Sequence, residues 1–187
     1  MSLNMNFSAN TKETINDELS RLSDFSKIYY LERLIHEKKD IAVKRFCYNK
    51  LAIIYLDKGM YSKAAENVEA MARMATSYDE KIKAFINEIK LLVRGADYQK
   101  AEAILEKVLS ISSPLRKIEL RKEFIRIYKD MAGELERDMK RGSSLQIYER
   151  ILKLGDEIDK REARERLLIL YLALGKMQEY NRMRGSG

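Results

Sequence analysis

Apolar side chains return along this chain every three or four residues. Leu19, Leu22, Phe25, Ile28, Leu31 and Ile35 lie on one such line. A period near 3.6 marks a helix with one buried face, so 11–38 is expected to form one helix or two, with Ser23 or Asp24 able to cap a second start. From Ile41 to Lys58 the chain is apolar on nearly every side, after Asp40 and before Gly59. A helix of that character is expected to lie between neighbours. Tyr61 to Ala75 carries Ala64, Ala65, Ala70, Ala72 and Ala75. So many small residues suit a helix packed closely against its predecessor across a short turn.

The same alternation continues downstream. Ser77 followed by Glu80 reads as a capping box before a helix over 78–94, with Gly95 at its end. A returning helix is expected over 98–110. Ser113-Pro114 then supplies an N-cap and a proline at the first helical position, where its missing N–H costs nothing. The helix starting there is expected to run to about Lys140, with Leu120, Phe124, Ile127, Met131 and Leu135 on one face, and Gly142 is expected to precede a shorter helix through Leu154. Gly155-Asp156 marks a boundary before a helix bearing Ile158, Leu167, Leu170, Tyr171 and Leu174, and Gly175 leaves room for only a short final helix. Nothing alternates with the period of a strand.

Composition agrees. The 187 residues contain one proline and eight glycines, 45% hydrophobic and 35% charged residues, which fits a folded all-α chain and not a disordered one. No apolar run of about eighteen residues offers a membrane span, and the polar start lacks the apolar centre of a secretion signal. Cys47 has no second cysteine to pair with. A small buried thiol in a reducing, cytoplasmic compartment is the expectation. Met1-Ser2-Leu3 and Gly185-Ser186-Gly187 read as vector-derived ends and carry no fold expectation. The expected organisation is one domain over 1–187: a flexible 1–10, a lead-in over 11–38, and helix pairs at 40–76, 77–111, 114–154 and 157–184, about eight to nine helices in all.

Two of these pairs superimpose. Gly59-Met60-Tyr61-Ser62-Lys63-Ala64 matches Ala96-Asp97-Tyr98-Gln99-Lys100-Ala101 at a separation of 37 residues, about one helical repeat. Leu51, Ala52, Tyr55, Gly59, Tyr61, Ala64 and Val68 fall in the order and spacing of the tetratricopeptide motif, and the chain resembles that family over 45–111 and more loosely over 115–175. In the second pair Tyr98, Ala101 and Leu105 match, but Ile89 stands where a small residue is usual. The third pair has a first helix too long for the motif. The fourth keeps Leu167, Tyr171 and Gly175. The resemblance implies a right-handed superhelical array of antiparallel helix pairs, with Ala52 and Ala64 at the crossing of one pair. An irregular SNAP-like array and a nonrepetitive bundle are the competing architectures.

Local signatures of catalysis are missing from the sequence. His36 is the single histidine, and there is no Gly-rich phosphate loop, His-Glu-x-x-His, Cys-x-x-Cys or Gly-x-Ser-x-Gly. No metal, cofactor or enzymatic activity is expected, and His36 is expected to be a solvated surface residue. Lys83, Asn87, Lys90 and Arg94 recur at helical spacing and form a polar stripe; Lys122, Arg126 and Lys129 form a second, basic one. Glu88, Glu119 and Glu123 are expected near these stripes as neutralising charges. By the resemblance, Asn49, Lys83, Asn87 and Lys90 fall at or near positions lining the concave groove where members of the family hold partners. The full set used by carboxylate-clamp members is not in place, which argues against chaperone-tail binding.

A protein or peptide partner with an acidic or amphipathic segment is therefore the leading expectation. The net charge of +7 sits mostly in the C-terminal half: 15 basic and 13 acidic residues over 1–93, 21 and 16 over 94–187. That imbalance and a pI near 9.3 make RNA binding the alternative. Homo-oligomerisation through the C-terminal end is a third option, with Leu170, Leu174 and Met177 expected to be uncovered there. Met71, Met74 and Met131 are read either as core filler or as an adaptable contact surface.

Overall fold

The computed structural model describes residue 7 and residues 11–185, so the flexible start expected over 1–10 lies outside the described residues except at Phe7. Every regular element among the described residues is an α-helix. In order they are α1 (Lys12–Ser20), α2 (Asp24–Glu37), α3 (Ile41–Asp57), α4 (Tyr61–Arg73), α5 (Tyr78–Arg94), α6 (Tyr98–Ser110), α7 (Pro114–Arg137), α8 (Arg141–Leu154), α9 (Glu157–Ala173) and α10 (Met177–Gly185). The fold is all-α, and the lead-in divides into two helices. None of the described helices is long and apolar enough to cross a membrane. The chain gathers into two compact units, 1–104 and 105–187, with the division inside α6.

The starts are set by side chains that replace missing intrahelical acceptors. Ser23 Oγ accepts from the Ser26 N–H and so divides α1 from α2. Asp40 caps α3 through the N–H groups of Ala42 and Val43, and Ser113 caps α7 ahead of Pro114. Ser77 caps α5 through Glu80 N–H at 3.2 Å. The reciprocal half of the expected capping box is absent: Glu80 turns instead to Thr76 N–H and Oγ1, both at 3.3 Å.

The ends repeat one geometry four times. Gly59, Ala96, Met139 and Gly175 adopt φ of 68°, 59°, 59° and 69°. Each is followed by a residue whose N–H reaches back five positions: Met60 to Tyr55 O, Asp97 to Leu92 O, Lys140 to Leu135 O and Lys176 to Tyr171 O, all at 2.8–2.9 Å. This left-handed closure satisfies the last carbonyls of α3, α5, α7 and α9 and turns the chain straight into the next helix. Two expectations are adjusted by it. The closing residue after α5 is Ala96, while Gly95 is an ordinary C-cap. Likewise α7 stops at Arg137, short of Lys140, and Gly142 lies inside α8.

In the first unit, α2 packs on α3, α3 on α4 and α4 on α5. Tyr30, Leu31, Leu34, Val43, Cys47, Leu51, Tyr55 and Ala64 make a continuous core. Each large apolar side chain taken fully out of water there stabilises by roughly 1.5–3 kcal/mol. Ala52 and Ala64 are both buried. Tyr55 Oη donates to Glu32 Oε1, and Lys58 pairs with Asp24 at 2.9 Å, which sets α2 antiparallel to α3. A β-carbon on Gly95 would lie 2.9 Å from Tyr61 Cβ, so the end of α5 and the start of α4 touch closely.

In the second unit, α7 packs on α8, α8 on α9 and α9 on α10. Ala132 and Ser144 are fully buried and joined by a hydrogen bond from Ser144 Oγ to Ala132 O at 3.2 Å. Counted from the left-handed residue, they occupy the positions of Ala52 and Ala64. The long third pair thus keeps a small residue on each helix. Tyr171 Oη donates to Glu149 Oε1 at 3.0 Å, as Tyr55 does to Glu32 in the first unit.

Candidate functional site

α3 and α5 run in the same direction, and Arg45 Nη1 of α3 lies 3.5 Å from Glu80 Oε2 of α5 near both starts. The Thr76 N–H, and then the Arg45 charge, hold the Glu80 carboxyl below its ordinary range. Beyond that ion pair the two helices turn polar, exposed residues outward. Asn49 on α3 and Lys83, Asn87 and Lys90 on α5 are all exposed. On α5 the opposite face carries Ile82, Phe85, Ile89 and Leu92, which are buried and fix the rotation of the helix. Steps of four and then three residues raise the stripe by about 6 Å and about 4.5 Å, which spaces Lys83, Asn87 and Lys90 along one side of a rod.

Two positions on α5 differ from their neighbours. Arg94 closes the stripe, is exposed, and is engaged within the chain. Glu88, expected as a surface charge beside the lysines, is instead fully buried with Phe85, Ile89 and Leu92. Its rotation by one residue from Asn87 places it on the inward face, so it screens nothing outside. Lys83, Asn87 and Lys90 take part in no ion pair among the described residues.

The second stripe lies on α7, in the other unit. Lys122 and Arg126 are exposed, and Lys129 is half-buried. Lys129 Nζ lies 2.7 Å from Asp159 Oδ1 and 2.5 Å from Glu162 Oε2, both on α9. Burial works to lower the Lys129 pKa, but the two carboxylates outweigh it and the net direction is upward. The Lys129 ammonium is thus committed to α9. Arg126 faces Glu123 one turn away at 3.6 Å. Farther along, Arg166 Nη1 lies 3.9 Å from Glu136 Oε2, so α7 and α9 also run side by side in one direction. The sequence gives no sign of these long-range pairs, because the partners are some 30 positions apart.

His36 is exposed, as expected, and lines a cleft of about 540 Å³ between α2, α3 and α4 with Tyr29, Glu32, Arg33, Tyr48 and Asn67. Arg33 is held there by Glu37 at 2.6 Å and stacks on the Phe7 ring at 3.9 Å. Phe7 in turn packs on Tyr30, with ring centres 5.4 Å apart. Sequence spacing gave no indication of this cleft. Cys47 is buried, and burial raises its thiol to about 11, which keeps it protonated and unreactive. Met71, Met74 and Met131 are each half-buried. No group of histidine, cysteine and acidic side chains suited to a metal ion occurs among the described residues.

No family model matches the chain, and no curated protein matches it either. Among solved structures, BtubC (BKLC) from P. vanneervenii aligns with 93% of this chain and 80% of its own length, at 18% identity and a TM-score of 0.39.

Proposed function

We propose that this chain is a tetratricopeptide-like binding module, acting in the cytoplasm without catalysis, that holds an acidic or amphipathic segment of another protein. The observation that carries this reading is the α5 stripe. Lys83, Asn87 and Lys90 are exposed on a helix whose rotation is fixed by its core, and none of them makes an ion pair among the described residues. Lys129 of α7 is the contrast, since its charge is spent on α9. Two ammonium groups about 10 Å apart along a helix, with an amide between them, can meet carboxylates while the asparagine bonds a ligand backbone. Asn49 on the parallel α3 adds a second amide. The tetratricopeptide-like reading is supported by the four left-handed closures and by the small buried pairs Ala52 with Ala64 and Ala132 with Ser144.

The test is affinity for a short glutamate-rich peptide. Charge reversal in Lys83→Glu with Lys90→Glu is expected to weaken binding by roughly tenfold or more, about 1.4 kcal/mol. Unchanged affinity removes the α5 placement. RNA binding is the second reading, favoured by the basic excess of 94–187. Phosphate contacts would make affinity fall steeply with salt; a flat or absent RNA signal across salt concentrations removes it.

A further inference from the structure

α7 departs from the other helices that end in a left-handed closure. α3, α5 and α9 each begin 18 residues before that closure, at Ile41 for Gly59, Tyr78 for Ala96 and Glu157 for Gly175. α7 begins 25 residues before its own, at Pro114 for Met139. The surplus is two turns, or about 10 Å of helix, and it lies wholly at the N-terminal end. The Lys122 charge acts on Asp156, the N-cap of α9, and Lys129 pairs with Asp159 and Glu162. Residues 114–121 therefore project past the start of α9.

The projecting turns are apolar on the outside. Leu115 is 78% exposed, Ile118 55%, and Ile111 just before the helix 48%. Leu115, Ile118, Lys122 and Arg126 share one face of α7, opposite the buried Leu120, Phe124, Ile127 and Tyr128. This face passes from apolar to basic along about 16 Å of helix. Of the charges beside it, Lys117 and Arg121 make no ion pair among the described residues, while Glu119 is held by Arg116 at 2.6 Å.

We propose that this face of α7 is a docking surface for an acidic amphipathic helix of a partner protein. Its apolar side chains would seat on Ile111, Leu115 and Ile118, and its carboxylates on Lys122 and Arg126. Rows of side chains three and four residues apart on a straight rod suit a second helix at 8–10 Å. Glu119, Glu123 and Asp130 run along one edge of the stripe, with Glu119 on Arg116 and Glu123 on Arg126. The positive charge is thereby confined to a narrow line that suits the few spaced carboxylates of a helix and not the continuous charge of a lipid surface or a phosphate backbone. This surface rests on the geometry of α7 and does not depend on the α5 reading.

The test uses fluorescence anisotropy on the full chain with a labelled helical peptide carrying leucine on one face and glutamate on its flanks. Controls are a scrambled peptide of equal composition, phosphatidylserine vesicles, and sedimentation of the chain alone. The striped peptide is expected to bind about tenfold or more tighter than the scrambled one. Leu115→Asp with Ile118→Asp, or Lys122→Glu with Arg126→Glu, is expected to erase that preference, while Lys83→Glu with Lys90→Glu keeps it. All of these side chains are exposed, and circular dichroism verifies that each variant remains helical. The proposal is overturned by equal binding of both peptides, by a preference that survives the α7 variants or vanishes only with the α5 variant, by vesicle binding in place of peptide binding, or by a dimer that Leu115→Asp with Ile118→Asp dissolves.

Discussion

At the scale of single residues, Gly95 and Ala96 illustrate two separate demands on the backbone. Ala96 sits at φ 59°, where a β-carbon is disfavoured, yet Gly95 beside it is at φ −82°. The glycine is explained by space: a β-carbon there would press on Tyr61 Cβ at 2.9 Å. Gly95→Ala is therefore expected to destabilise by about 1–3 kcal/mol, as overpacking does. Ala96→Gly, by contrast, relieves a strain of about 1–2 kcal/mol and gives up part of it to the greater freedom of the unfolded chain, for a net gain of about 0.5–1 kcal/mol. Met139→Gly should follow Ala96→Gly, since Met139 is exposed at the same φ. Gly59 has open space around its Cα, so Gly59→Ala meets only the conformational penalty and should cost about 1 kcal/mol. Urea unfolding of the four variants checks both signs.

Buried titratable side chains set the alkaline limit. Burial, the largest cause, pushes Tyr30 and Tyr148 up to about 12 and Cys47 up to about 11. Their neutral forms are favoured by folding, so this contribution is complete below the unfolded values, near 10 for tyrosine and 9 for cysteine. It is lost as pH rises through the folded values, because the unfolded chain then releases protons that the folded chain retains. The thermal midpoint is expected to hold up to about pH 9 and to fall between about pH 9 and 12. A midpoint flat across that window would show that these groups ionise alike in both states.

At the scale of helices, small residues at crossings determine how near two axes come. Ala64 is fully buried between packed helices, so Ala64→Leu should force α3 and α4 apart at a cost of about 1–3 kcal/mol. A loss well below that, by calorimetry or denaturant titration, would mean the crossing lies elsewhere. The third pair hides its small-residue crossing from the sequence. Ser144 stands in place of an alanine, and the two extra turns of α7 obscure its register in a single sequence; only the shared left-handed closure at Met139 reveals it. The C-terminal end shows a related shift. Leu170 is buried, contrary to the expectation, while Ile169, Leu172, Leu174 and Met177 are exposed. A one-residue change in helix phase moves a side chain by about 100°, so a face inferred from spacing is easily misplaced at its edges.

For the whole molecule, protection from hydrogen exchange should follow burial. α10 has no buried residue, so its amides are expected to exchange first, through local opening, while those around Ile147, Ile151 and Leu167 wait for deeper unfolding. Uniform protection from α8 to α10 would contradict that order.

The sequence by itself determined the helical class and nearly every helix boundary, because caps, closing turns and the 3.6-residue period are local physics carried within a few neighbouring residues. It also picked out the α5 stripe, since one apolar face leaves only one polar face opposite. Tertiary structure alone decided that Lys129 is committed to α9 and that the outer face of the first turns of α7 stands uncovered. Each of those outcomes depends on which distant helix lies alongside, and that is fixed by packing over the whole unit, not by spacing along the chain.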